Sequence, residues 1–279
     1  VKLFIPGPTH VRREILDAQA APMIGHRSPE YAALQERVTN KLQHMLYTEQ
    51  RVFLFGSSST GVMEGAVRQC STTRVLNTVC GAFSQRWHDI TAANGIACEA
   101  VEVPMGQAVT PDLVDEALSS GKYDAMTVVL NETSTGVMNP VAEIAARVRA
   151  RHPGVLILVD AVSAMAGVQI EFDVWEVDVC LAGTQKCFAL PPGLTVCAVS
   201  ERAMARSRQV RGKGYYYDFE VNDKYLQRNQ TPSTPPISLI QALDAQMDAI
   251  LAEGLDNRWA RHIAMAERVR IWAQDRFRL

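Results

Sequence analysis

Short apolar runs rich in β-branched and aromatic residues recur along the chain between residues 51 and 199. Arg51–Phe55, Val75–Val79, Ala125–Leu130, Val155–Val159, Val177–Ala182 and Leu194–Val199 each read as a strand, and the most apolar of them as strands buried on both faces, as in a parallel sheet. Ala100–Val103 is a shorter strand. Amphipathic stretches separate these runs. Residues 28–46 read as a helix, with Ser28 as N-cap and Pro29 at its first position. Further helices are expected around Val62–Arg68, after Trp87, from Thr110-Pro111-Asp112 to about Ser120, and over Ala142–Arg151. Strand–helix alternation from about residue 50 to 210 predicts an α/β protein with a doubly wound, mostly parallel sheet. Prolines at 6 and 8 make residues 1–12 an extended arm. Residues 212–236 are loop-rich, and a long helical pattern follows from Ile237, broken at Gly254.

In such a sheet, ligands bind at the carboxyl ends of the strands. Two strand ends stand out. Asp160 closes the run Val155–Val159, and Lys186 follows the run Val177–Ala182, 26 residues later. That separation is about one strand–crossover–strand unit. An acid and a lysine converging there suit pyridoxal phosphate. The lysine would hold its aldehyde carbon as a Schiff base, and the acid would keep its ring nitrogen protonated. Many Asp/Lys pairs are only surface ion pairs, contributing about 0–1 kcal/mol. Lys186, however, is followed by Cys187-Phe188-Ala189-Leu190, and burial in such a run lowers a lysine pKa toward the nucleophilic amine.

Three other strand ends match parts of the same molecule. Ser58, Ser59 and Thr60 stand between a strand and a helix, where hydroxyls and free N–H groups suit a phosphate. Phe83 could lie flat on a ring, and the Thr133 hydroxyl could reach a ring oxygen. Each has an ordinary alternative: a Ser-rich N-cap, a core phenylalanine, a turn threonine. Agreement across five loops is what favours the shared ligand. No Gly-Lys-Ser/Thr follows the serine loop and Gly-x-Ser-x-Gly is absent, so it is neither a Walker loop nor a nucleophile elbow.

Composition narrows the classes. The 279 residues are 47% hydrophobic and 21% charged, with a formal net charge of −2, so a polyanion such as nucleic acid is not an expected partner. No apolar run approaches the roughly 20 residues that span a bilayer, and no secretory h-region opens the chain. The six cysteines form no C-x-x-C, which points to reduced thiols in a cytoplasmic protein rather than disulfides or a metal site.

Pro6-Gly7-Pro8, Met23-Ile24-Gly25-His26-Arg27, the segment from Gly81 to Trp87, Asn131-Glu132-Thr133-Ser134-Thr135-Gly136-Val137, Val159-Asp160-Ala161-Val162-Ser163, Gln185-Lys186 and Pro191-Pro192-Gly193 occur in an order and spacing that resemble class V (fold type I) aminotransferases of the alanine–glyoxylate / serine–pyruvate type. The resemblance covers nearly the whole chain. It implies that Lys186 bonds the cofactor and Asp160 pairs with its ring nitrogen. It implies that Ser58, Ser59 and Thr60 cup the phosphate with Gln185 nearby, that Thr133 meets the ring oxygen, and that Phe83 stacks on the ring. It further implies a homodimer with a shared active site, in which the partner completes the phosphate site through a loop matching Thr231 and Thr234. The activity implied is transfer of an amino group from a small amino acid, alanine or serine, to a 2-oxo acid, glyoxylate or pyruvate. The alternatives on the same fold are a lyase, a cysteine desulfurase or a non-catalytic remnant.

The resemblance divides the chain into an N-terminal arm at 1–20, a large cofactor-binding α/β domain at 21–250, and the start of a smaller C-terminal domain at 251–279, incomplete here. Family members carry in that domain an arginine that grips the substrate carboxylate. The terminal Arg276 and Arg278 are not assigned to that role.

Overall fold

A computed structural model describes residues 2–278. In chain order the strands are β1 (Arg51–Phe55), β2 (Val75–Val79), β3 (Cys98–Glu102), β4 (Ala125–Val129), the two-residue β5 (Asn131–Glu132) and β6 (Val137–Met138), β7 (Leu156–Asp160), β8 (Val179–Gly183) and β9 (Thr195–Val199). The helices are α1 (Arg13–Ala18), α2 (Pro29–Met45), α3 (Ser59–Cys70), α4 (Ala82–Ala93), α5 (Pro111–Leu118), α6 (Val141–Arg151), α7 (Glu201–Ser207), α8 (Phe219–Leu226), α9 (Ile237–Glu253) and α10 (Leu255–Phe277).

Seven strands form one sheet in the order β1-β9-β8-β7-β4-β2-β3, and β5 and β6 form a separate small hairpin. The pairs β3/β2, β2/β4, β4/β7 and β7/β8 are parallel, and β9 runs antiparallel to both β8 and β1. This is the mostly parallel, doubly wound α/β sheet expected from the sequence. The central strands are buried throughout, which is why they appear as continuous apolar runs. Alternate residues serve opposite faces. Leu54, Ile157 and Cys180 pack with α2, α6 and α9 in one core, whereas Phe53, Phe55, Leu158 and Leu181 pack with α3, Trp87 of α4 and Phe219 of α8 in the other.

Two expectations differ from the structure. The third strand begins at Cys98 rather than Ala100, because β3 is an edge strand with exposed positions and its apolar signal is weak. Within the loop-rich stretch 212–236 lies α8, whose Asp218 N-cap accepts from the N–H groups of Glu220 and Val221. As expected, residues 2–12 form neither helix nor strand, although residues 5–8 bend, and a short helix, α1, follows them. The six cysteines are free.

The turn between β8 and β9 carries Lys186. Thr184 N–H donates to the Leu194 carbonyl at 3.0 Å, and the Thr184 hydroxyl reaches the Pro191 carbonyl at 3.0 Å. Leu190 N–H donates back to the Thr184 carbonyl at 3.0 Å. Among the described residues, no helix is long and apolar enough to cross a membrane.

Candidate active site

The carboxyl ends of β1, β2, β4, β7 and β8 lie on the same edge of the sheet because these strands point the same way, with the reversed β9 between β1 and β8. A cavity at that rim is lined by Ser58, Ser59, Thr60, Phe83, Thr133, Asp160, Gln185 and Lys186. Met63, Arg86, Asn131, Val162 and Ser163 complete much of its wall. Eight of the ten residues singled out in the sequence therefore meet in one place.

Ser58 is the N-cap residue of α3 but its side chain caps nothing. The first-turn N–H groups and the hydroxyls of Ser59 and Thr60 are left as an anion site at a positive helix end. Ser59 Oγ is buried with no hydrogen-bond partner among the described residues. Gly183, at the end of β8, makes room for it, since a Cβ there would lie 2.7 Å from Ser59 Oγ and would strike Gln185 as well. A phosphate oxygen is the kind of acceptor this hydroxyl requires.

Asp160 is 3% exposed and accepts from the Val162 N–H at 2.8 Å. Burial raises its carboxyl to about 7, the Val162 N–H opposes the rise, and the charge of Glu132 adds to it. A buried carboxylate in this state is relieved by a cation at short range, such as a protonated ring nitrogen. Burial also moves the Lys186 amine below its ordinary value, against the pull of Cys187 and Asp160. Lys186 Nζ donates to the Pro6 carbonyl at 3.1 Å. The arm is fastened beside it. Thr9 N–H donates to the Gln185 carbonyl at 2.9 Å, and the Thr9 hydroxyl to the Lys186 carbonyl at 3.1 Å. Thr133 Oγ1 and Ser163 Oγ lie 2.5 Å apart.

Reasoning from sequence passed over several wall residues. Arg86 sits one helical turn beyond Phe83, and its guanidinium lies 4.9 Å over the Phe83 ring. Ser163 is three residues beyond Asp160, and only the fold shows that it meets Thr133. Thr231 and Thr234 are not in the cavity wall. Thr231 is buried beside Tyr216 and Asn222 with its hydroxyl bonded to the Ser233 carbonyl at 2.8 Å, and Thr234 is exposed. Cys187, beside the lysine, has its thiol pushed up by burial and 3.6 Å from the Ser163 carbonyl, which disfavours a thiolate.

A larger open cleft of about 670 Å³ adjoins the cavity, sharing Lys186 and Ser163 with it, and Arg12, Arg258 and His262 lie in its wall. Arg258 is committed to structure. It donates to the carbonyls of Ala166 at 2.6 Å and Cys187 at 2.7 Å, and pairs with Glu253 at 2.9 Å.

An amine, a buried acid and an uncapped, hydroxyl-lined helix end on one rim of this sheet fit pyridoxal phosphate, and together with the fold they define a fold type I enzyme of that cofactor. Residues 11–272 match the model of the family described as aminotransferase class-V. The chain belongs to that family and is a pyridoxal-phosphate-dependent transaminase. It is similar to the L-aspartate–glyoxylate aminotransferase of Paracoccus denitrificans, at 38% identity over 96% of this chain and 69% of that protein. It is also similar to the serine–glyoxylate aminotransferase of Hyphomicrobium methylovorum, at 35% identity over 96% of this chain and 68% of that protein. The crystal structure of alanine–glyoxylate aminotransferase from Nostoc sp. superposes with a TM-score of 0.90 at 28% identity, covering 97% of this chain and 73% of that one.

Proposed function

We propose that this protein moves an amino group from a small amino acid, with alanine, serine and aspartate as the first donors to test, to a small 2-oxo acid, glyoxylate foremost and pyruvate next. The carrying observation is that Lys186, Asp160 and the partnerless hydroxyl of Ser59 line one cavity. Several of the similar proteins are named as glyoxylate aminotransferases, which supports the acceptor.

The residue roles belong to this proposal. Ser58, Ser59 and Thr60 bind the phosphate, with Gln185 packed behind them. Phe83 covers one face of the ring, and Thr133 with Ser163 meets the ring oxygen. Asp160 keeps a proton on the ring nitrogen. The bound cofactor supplies an electron sink for the carbanion at the substrate Cα. Lys186, its amine favoured by burial, would take the Cα proton as general base, hold it as an ammonium, and give it back across the substrate nitrogen, two atoms from Cα.

Thr231 and Thr234 stand apart from the cavity, so their part in phosphate binding requires a second protomer, and a homodimer with shared sites is part of the reading. The division into an arm at 1–20, a large domain at 21–250 and the opening of a smaller domain from 251 belongs to it too, as does a cytoplasmic location. The test is a coupled assay of the cofactor-loaded protein with each donor against glyoxylate and pyruvate. Formation of glycine or alanine with the matching 2-oxo acid is expected. Turnover of donors without any acceptor, as a lyase or desulfurase would give, would overturn the reading.

A further inference from the structure

The residue that holds Phe83 in place is not in the cavity wall. The N-cap of helix α4 is Gly81, which has no side chain with which to cap it. The free N–H groups of the first turn are instead taken by the strand end that carries Thr133. Ala82 N–H donates to Ser134 Oγ at 2.9 Å. Phe83 N–H and Ser84 N–H donate to Glu132 Oε2 at 3.2 and 2.9 Å, and the Ser84 hydroxyl donates to the same oxygen at 3.0 Å. Glu132 Oε1 accepts from the Ser134 hydroxyl at 2.7 Å and from Ser134 N–H at 3.1 Å. Glu132 is fully buried.

Glycine at position 81 is what admits this cap. A Cβ there would lie 2.5 Å from both Glu132 Cγ and Ser134 Oγ. Burial alone would push the Glu132 carboxyl up, but the hydrogen bonds from Ser134 and Ser84 hold it below its ordinary value, so it carries a full charge against the positive end of α4. Helices are ordinarily capped by their own N-cap side chain. Here the cap comes from 48–49 residues along the chain, and its neighbours in sequence are cavity residues.

We propose that Glu132 is a positioning residue of the active site: by capping α4 from the end of β5 it locks Phe83, which meets the ring face, to Thr133, which meets the ring oxygen. The inference rests on the proposed roles of Phe83 and Thr133. Glu132 touches neither substrate nor cofactor, and it acts through the loop it fastens. Without its carboxylate the N–H groups of Phe83 and Ser84 lose their acceptor, and Phe83 is free to leave the ring while the rest of the sheet stays as it is.

The test uses the full chain with pyridoxal phosphate, comparing wild type with E132Q, E132D and S134A. Cofactor affinity is measured by equilibrium dialysis, the asymmetry of the bound ring by circular dichroism in its visible band, and the fold by far-ultraviolet circular dichroism and Tm. E132Q is expected to weaken cofactor binding about tenfold and to shrink the visible signal, because charge-assisted hydrogen bonds are lost. S134A is expected to move both in the same direction by less, and E132D to recover part of the loss. A lower Tm with wild-type affinity and visible signal in E132Q would overturn the inference. If E132Q does not fold, S134A decides, and wild-type values in it overturn the inference. Wild type that binds no cofactor overturns the reading of the cavity itself, which separates the two failures.

Discussion

The Pro6 carbonyl accepts a hydrogen bond from Lys186 Nζ at 3.1 Å, across 180 residues of sequence. Gly7 allows the approach, because a Cβ on it would lie 2.5 Å from Lys186 Cδ and 2.7 Å from Nζ. Gly7→Ala therefore displaces the reactive end of the lysine or the arm itself. The expected outcome is a fall in kcat on the order of tenfold to a hundredfold, the scale of a misplaced catalytic group, with Tm little changed because the arm is mostly exposed. Steady-state kinetics beside a melting curve check this. Lys186→Ala should abolish turnover and leave the same melting curve.

Asp160 gives a prediction with a sign. Its carboxyl rises from an ordinary 3.8 to about 7 with burial as the main cause. An acid raised in the folded state stabilises the fold at pH values below its unfolded pKa, and that contribution is lost as the pH climbs through the folded value. The cofactor-free protein should thus lose stability between about pH 4 and 7, by an upper limit of about 4 kcal/mol from this group. Asp160→Asn should abolish that loss, melting higher than wild type at pH 8 and alike at pH 4. The same variant, loaded with cofactor, should lose activity on the order of 10²-fold or more, since the fixed charge at the ring is gone. Calorimetry at the two pH values and a rate assay check the pair. Equal melting of both proteins at pH 8 would count against the strained carboxyl.

Gly183 faces the phosphate cradle. Gly183→Ala sets a methyl 2.7 Å from Ser59 Oγ and against Gln185 Oε1, and both side chains have to turn away. Binding of pyridoxal phosphate should weaken about tenfold while the far-ultraviolet spectrum is kept. Competition by inorganic phosphate measures the same site without the ring, and it should weaken in parallel.

Asp178 concerns stability alone. It is 1% exposed, immediately before β8, takes the Arg149 guanidinium at 2.5 Å and Arg202 at 3.1 Å, and accepts from Ile157 N–H at 2.8 Å. Asp178→Ala strands a buried Arg149, which should cost about 3–5 kcal/mol. For a chain of this size that is a drop of roughly 10 °C in Tm. Denaturant titration of the cofactor-free protein checks it, and a change under 1 kcal/mol would be the wrong outcome.

The strands and the chemistry at their ends were legible in the sequence for a physical reason. Central parallel strands are buried on both faces, so Leu156–Val159 and Val179–Ala182 stand out as apolar runs, and the polar residue that ends each run marks the rim. Contacts between distant segments were not legible in this way. Nothing local in Pro6 announces Lys186, and Glu132 looks like an ordinary acid until Gly81 is folded against it. The α8 helix was hidden because tyrosines, glycines and prolines flank a segment of only eight residues. Thr231 and Thr234 were singled out only through the family resemblance, and the fold leaves them outside the cavity wall.

The reversed strand β9 has a mechanical consequence. Because β9 returns beside β8, the turn bearing Lys186 is moored at both feet to the same rim, by Thr184 and Leu194. Thr9 ties it a third time, through the carbonyls of Gln185 and Lys186 themselves. With the backbone so held, travel of the amine between the Pro6 carbonyl and the floor of the cavity falls to torsions in the lysine's own four-carbon stem, a short crane on a fixed pier.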